Sequence, residues 1–236
     1  SEYPSKKIKI IGVGGAATHA VNRIIDSAVK NEAVEFITIN TDKKALSLSK
    51  ADRKILIGEE IAYWRRTPIK PEKIGEQSAL NARKSISSAL KGADTIVLIG
   101  GLGGGTGTGA SPVIARIAKG ITDNVIGIFT SPFGFEGKQR MKKAVDGLDK
   151  LKDIIRSPII SVPNQDLLRY VDKKTTFKEA FGMSDDSILR VIQSILKGKT
   201  LSPDANIGLN KTRNSSASGE DRQEAILKLY QHDFKV

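Results

Sequence analysis

Between Ile99 and Gly109 the chain reads IGGLGGGTGTG, seven glycines in eleven residues, set between the apolar run DTIVL and the helically spaced ASPVIARIA. Glycine loses more backbone entropy on folding than any other residue, so so dense a run is kept only where something needs bare main chain. A strand-to-helix turn gives such a need: free N–H groups and the helix dipole at its end favour an anion, and the absence of Cβ lets anion oxygens approach the backbone. A sparser turn of the same kind, GVGGAATHA (12–20), joins the apolar KIKIIGV to a stripe formed by Val21, Ile24, Ile25 and Ala28. Two such turns converging on one ligand imply a polyphosphate.

The rest of the chain supports that placement. VEFITIN, KILI, DTIVLIG, NVIGIFT and PIISV read as further strands, each a nearly continuous apolar run. The segments between them carry helical spacing: 72–90, ending before Gly92, then 110–118 and 139–151. Strands of this type alternating with helices define an α/β fold with a doubly wound parallel sheet covered on both faces, and ligands of such sheets bind beyond the carboxyl ends of the strands. After Pro163 the pattern turns helical, with NQDLLRYV, FKEAF and DDSILRVIQSIL reading as helices. From Lys197 the chain is polar and rich in Gly, Ser, Asn and Pro until RQEAILKLYQHDF, which has helical spacing. The expected organisation is an α/β domain over 1–182, a helix over 183–197, and a flexible linker with a short helix over 198–236.

Composition narrows the function. The chain has no cysteine, so thiolate metal sites are excluded, and His19 and His232 lie too far apart in sequence to suggest a metal pair. No apolar run is long enough to span a bilayer, and the opening SEYPSKKIKI lacks a signal-peptide core, so membrane insertion is not expected and the chain reads as cytoplasmic. A net charge of +12 suits anionic partners, yet Lys and Arg are dispersed and aromatic residues make up only 5%, so nucleic acid is not expected as a partner. GVGGAA on its own is close to a dinucleotide-binding fingerprint, with Asp42 as a candidate ribose acid, which leaves a Rossmann oxidoreductase using NAD as one alternative. No Gly-x-x-x-x-Gly-Lys-Ser/Thr occurs.

GGGTGTG, 103–109, resembles the signature of the tubulin and FtsZ superfamily of GTPases, and the resemblance runs on in order to the FtsZ family through VEFITINTDKKAL, TSPFGFEGKQRM, VPNQDLL and EAFGMSDDSIL. It implies a GTPase-domain fold followed by a central helix, with GTP or GDP as ligand and Mg²⁺ arriving with the nucleotide. Carried over by residue, Gly14, Gly15, Ala16, Ala17, Thr18 and His19 line the first phosphate loop, and Gly104, Gly105, Thr106, Gly107, Thr108 and Gly109 hold phosphates. Glu136 and Arg140 take the ribose, Arg140 also reaching the phosphates; Asn164 lies near the nucleotide, Phe181 stacks on guanine, and Asp186 accepts from its N1–H and amino group. One carboxylate accepting from both donors would reject adenine, which lacks that pair.

The chain departs from the family in four places. Where a Gly-Ala-Gly loop meets the γ-phosphate, it reads YWRRTPIKPEKIG, so Arg65 and Arg66 either replace backbone recognition or form an exposed turn. The family's acidic catalytic loop is not recognisable, and Asp204 is the sole acid from Lys197 to Ala217, leaving hydrolysis open. The β-rich C-terminal domain is expected to be missing, and the basic charge contrasts with acidic relatives. The resemblance implies self-association, or copolymerisation with FtsZ-like subunits, within the division ring and alongside its proteins. The alternative is a non-hydrolysing subunit that caps or regulates polymers.

Overall fold

Five short apolar segments become strands because they can bury both faces, β1 (Ile8–Val13), β2 (Val34–Asn40), β4 (Thr95–Gly101), β5 (Val125–Ser131) and β6 (Ile159–Pro163), and a sixth, the more exposed β3 (Arg53–Leu56), pairs at the sheet edge. In the computed structural model, which describes residues 6–27, 32–59, 69–156, 158–167 and 175–198, they form one parallel sheet in the order β3-β2-β1-β4-β5-β6. The doubly wound expectation holds. Strand order reverses between β1 and β4, whose last residues pair as Gly12 with Ile99 and Val13 with Gly100. Both glycine turns therefore leave the sheet side by side, at the point where such folds open a crevice.

One face of the sheet is covered by α1 (Gly14–Asp26) and α8 (Phe177–Leu196), which join Ile10, Val97, Ile99, Ile128 and Ile160 to Val21, Ile24, Ile188 and Val191 in one cluster. The other face packs under α3 (Pro71–Asn81), α4 (Arg83–Leu90), α5 (Gly105–Lys119) and α6 (Lys138–Ile155). Each fully buried Ile or Leu contributes roughly 2 kcal/mol before chain entropy is counted, so these two layers hold the sheet and everything at its edge. Two short helices, α2 (Lys43–Ser47) and α7 (Asn164–Leu167), follow β2 and β6. Among the described residues no helix is long and apolar enough to cross a membrane.

Three helix expectations need correction. The helix over 72–90 is two, broken at Ala82 (φ −87°, ψ 9°), so that α3 lies along α5 while α4 reaches β3 and turns Ile86, Ala89 and Leu90 inward. The helix expected from Ala110 begins at Gly105, inside the glycine run. FKEAF and DDSILRVIQSIL form a single helix, α8, which runs unbroken across the expected boundary between 182 and 183. A capping box starts it: Thr176 Oγ1 accepts from the Glu179 N–H at 3.3 Å, and Glu179 Oε2 accepts from the Thr176 N–H at 2.7 Å. Cap and buried face together outweigh the weak helix propensity of Gly182. The linker and terminal helix expected after Gly198 lie outside the described residues, as do Arg65, Arg66 and Asp204.

Candidate functional site

Beyond the ends of β1 and β4 two adjoining cavities open, of about 600 and 350 Å³, sharing Gly15, Ala16, Gly101, Thr130, Asn164 and Phe181. The smaller is the polar one. Gly14 and the Gly104–Gly107 stretch line it from the two turns, with Glu136 and Arg140 opposite. The helices α1 and α5 both begin at this cavity, so their unpaired N–H groups and positive dipole ends adjoin it. Gly14 (φ +83°) and Gly103 (φ +96°) have the left-handed backbone that makes these entries possible.

The glycines do not all serve the cavity. A Cβ on Gly15 would meet nothing within 4 Å, and one on Gly104 only the Arg140 guanidinium at 3.7 Å, so these two leave room for a ligand. A Cβ on Gly107 would instead overlap the Gly101 carbonyl, and one on Gly109 the Glu72 carbonyl. On Gly75 of α3 it would stand 2.6 Å from the Gly105 carbonyl. Here α3 and α5 meet backbone to backbone, which is why α5 can start within a glycine run.

The hydroxyls divide in the same way. Thr106 lines the polar cavity, and its Oγ1 lies 2.7 Å from Thr41 Oγ1, tying the second turn to the end of β2. Thr108 does not line either cavity: its Oγ1 accepts from the Gly103 N–H at 2.8 Å and locks the turn. Thr18 is likewise internal, donating from Oγ1 to the Gly14 carbonyl at 2.9 Å. Of the expected phosphate-loop residues, Thr18, Thr108 and Gly109 thus build the loops without facing the cavity.

Across the polar cavity Glu136 is fixed twice, Oε1 accepting from the Phe133 N–H and Oε2 pairing with Arg140 Nη1, each at 2.8 Å. Asn164, 4% exposed, stands where the two cavities meet, and its Oδ1 has no hydrogen-bond partner. A buried acceptor left unpaired costs roughly 1–3 kcal/mol, which a ligand donor would relieve.

The larger cavity is mostly apolar, walled by Ala17 and His19 of α1 on one side and Lys178, Phe181, Gly182, Asp185 and Ile188 of α8 on the other. Asp186 does not line it. Its carboxylate bonds Arg23 of α1, Oδ1 standing 2.7 Å from Nη2 and 2.8 Å from Nε, and pins the two helices together. The acid in the cavity is Asp185. Burial pushes its carboxyl up to about 7, helped by the neighbouring Asp186 charge and opposed by Arg23. Helical geometry would have found this: with Phe181 on the cavity face, positions three before and four after share that face, whereas the fifth lies well away. Lys178 and Asp185 occupy those positions, and both were missed. Asp42, the candidate ribose acid, is spent as the N-cap of α2, accepting from the N–H groups of Lys44 and Ala45 at 2.8 and 3.2 Å.

A parallel sheet with two helix N-termini and glycine turns at its switch point is the build of a nucleotide-binding α/β domain. The chain belongs to the tubulin/FtsZ family: the model of that family's GTPase domain matches residues 7–172. Among solved structures it is similar to an empty FtsZ dimer from M. jannaschii, with 34% identity, TM-score 0.72, 82% of this chain covered and 55% of that one. A W319Y mutant of FtsZ from M. jannaschii matches at 29% identity, TM-score 0.72, covering 97% and 63%. The GTPγS-bound protofilament of CetZ2 from Haloferax volcanii shares the fold at 23% identity and TM-score 0.70, covering 84% and 60%. The chain therefore spans less than two thirds of the length of these proteins.

Proposed function

We propose that this chain is a GTP-binding subunit of the FtsZ type that binds GTP and GDP and assembles, in response, with copies of itself or with FtsZ-like subunits in a division ring. The observation that carries the reading is the joined pair of cavities: a polar one at two helix N-termini, and an apolar one walled by an aromatic ring and closed by a carboxylate. A purine nucleoside polyphosphate has the same division.

In this reading the main-chain N–H groups of Gly15, Ala16 and Gly104 through Thr106 hold the phosphates, and Arg140 offsets their charge. Glu136 accepts from the ribose, and the orphaned Asn164 Oδ1 takes a ribose hydroxyl. Phe181 stacks on the base with His19 on the far wall. Asp185, rather than Asp186, accepts from guanine N1–H and its amino group, which requires the carboxylate. Bound GTP supplies the phosphoanhydride whose cleavage can drive disassembly, with Mg²⁺ arriving on its phosphate oxygens. Asp204 remains the acid we propose for turnover. Phe135 and Phe177, 51% and 67% exposed and 4.7 Å apart, continue a ring ladder through Phe133 to Phe181 beside the cavities, an apolar rim suited to a neighbouring subunit. The FtsZ dimer and CetZ2 protofilament among the solved relatives support assembly. The oxidoreductase alternative loses its ribose acid to the α2 cap.

Displacement of a fluorescent GDP analogue tests this. GDP and GTP should compete at least about 100-fold better than ADP or NAD, the discrimination available when buried polar groups are left unpaired by the wrong base. No GDP binding at millimolar concentration would refute the proposal. Light scattering should rise with GTP, and GTP turnover should rise faster than linearly with protein concentration if subunits complete each other's sites. Assembly without turnover would favour the non-hydrolysing, capping subunit.

A further inference from the structure

On the wall of the apolar cavity, α8 carries a lysine, a phenylalanine, a glycine and an aspartate at 178, 181, 182 and 185. We propose that Lys178 is a second specificity-determining residue for the base, its ammonium donating to the O6 and N7 edge of guanine while Asp185 accepts from N1–H and the amino group. The inference rests on the guanine reading above and adds a residue to it.

Five observations carry it. Lys178 lines the apolar cavity and not the polar one, so its charge is placed for the base rather than for the phosphates. Its ammonium has no hydrogen-bond or ion-pair partner among the described residues, and the adjacent Glu179 is spent on the Thr176 cap. A cation in the first turn of a helix opposes the helix dipole, so nothing local favours lysine there. Lys178 and Asp185 stand two turns apart on one face, roughly 10 Å along the axis, with the Phe181 ring between them. That is room for a purine lying on the ring with a hydrogen bond at each end. Finally, a Cβ on Gly182 would meet nothing within 4 Å, so the cavity stays open beside the ring although no contact demands glycine.

The pairing of charges reads guanine on both edges. Guanine offers acceptors at N7 and O6 and donors at N1 and N2, matching a cation at one end and an anion at the other. Adenine keeps the N7 acceptor but sets its N6 amino group where guanine has O6, facing the ammonium, and its N1 lone pair would face the carboxylate. Asp185 alone rejects adenine on one edge, and Lys178 adds a penalty at the second, where an amino group replaces O6.

The test is competition of GDP and ADP, each taken to millimolar concentration, against a fluorescent GDP analogue on the full chain and its Lys178→Met and Lys178→Arg variants. Lys178→Met should weaken GDP at least about tenfold, as loss of a charge-assisted hydrogen bond does, without weakening ADP. Lys178→Arg should restore most of the GDP affinity. GDP binding unchanged in Lys178→Met overturns the proposal, and so does equal weakening of GDP and ADP, which would make the lysine a general attractor of nucleotide charge. A parent chain that binds GDP no better than ADP refutes the guanine reading itself, a result separate from either of these.

Discussion

Gly15 in the first turn has open space where a side chain would start, whereas Gly107 and Gly109 in the second stand where a side-chain carbon would drive into the carbonyls of Gly101 and Glu72. Both turns sit at helix N-termini on neighbouring strands, and both are glycine-rich in the sequence. They use the residue for different ends: the first clears a path for a ligand, and the second brings α3 against α5 so closely that only hydrogens fit between. The density of glycine in the second turn is the sum of two demands, a cavity wall at Gly104 and a crossing with α3 at Gly105 and Gly109. Substitution should separate them.

The largest effect expected is Gly109→Ala. Its Cβ meets backbone on a packed helix, which cannot give way as a flexible side chain would, so the loss should be about 3 kcal/mol or more by urea denaturation. Gly15→Ala should change stability by less than about 0.5 kcal/mol while weakening GDP roughly tenfold. If the two variants were equally destabilised, the contrast between the turns would be wrong.

The same contrast marks what the sequence could reveal. The strands were legible because a parallel sheet covered on both faces asks for unbroken apolar runs, and IKIIGV, VEFITIN and DTIVLIG supply them. The start of α5 was hidden because glycine is the second-worst helix former, and the crossing helix that makes it acceptable lies about thirty residues earlier in the chain. Thr108 and Thr106 look alike in a motif, yet one locks the Gly103 N–H and the other lines the cavity; only the turn geometry distinguishes them. Asp185 and Asp186 are neighbours of one type, and the choice between them is a matter of helical register, fixed by which face meets β-sheet and cavity. The C-terminal readings, Asp204 included, lie outside the described residues.

Asp185 gives the next effect. Its ordinary value of 3.8 is raised to about 7 in the folded chain, chiefly by burial and then by Asp186. Between those values the native state holds a proton that the unfolded chain has released, so stability falls as pH rises through that window, with most of the loss complete above 7. Asp185→Asn should therefore stabilise the ligand-free chain by about 1 kcal/mol at pH 8 and change it little near pH 4, as thermal melts would show. Guanine binding has the opposite slope, because only the carboxylate accepts from both donors: GDP affinity should fall as pH drops below 7, and Asp185→Asn should weaken GDP roughly 100-fold at pH 8 and flatten that dependence. A pH profile unchanged by the substitution would return the base-reading role to Asp186.

Thr108→Val sharpens the division between hydroxyls. The lost acceptor strands the buried Gly103 N–H, at a cost of roughly 1–2 kcal/mol in denaturant unfolding. GDP affinity should decline only through loosening of the turn, by less than the effect of Thr106→Val, a residue that lines the cavity. The reverse ranking would make Thr108 a ligand contact.

Gly182→Ala is the smallest change and separates packing from function most directly. Glycine inside a helix is less stable than alanine by roughly 0.5–1 kcal/mol, and here the new methyl group meets no atom within 4 Å, so α8 should gain about that much in thermal or urea unfolding. The methyl group would stand in the compartment beside Phe181, and GDP should bind more weakly even as the fold is strengthened. A gain in stability with no loss of GDP would mean the base lies elsewhere in the cavity, and a loss of stability would mean that α8 is held against its neighbours more tightly than the open space around Gly182 allows.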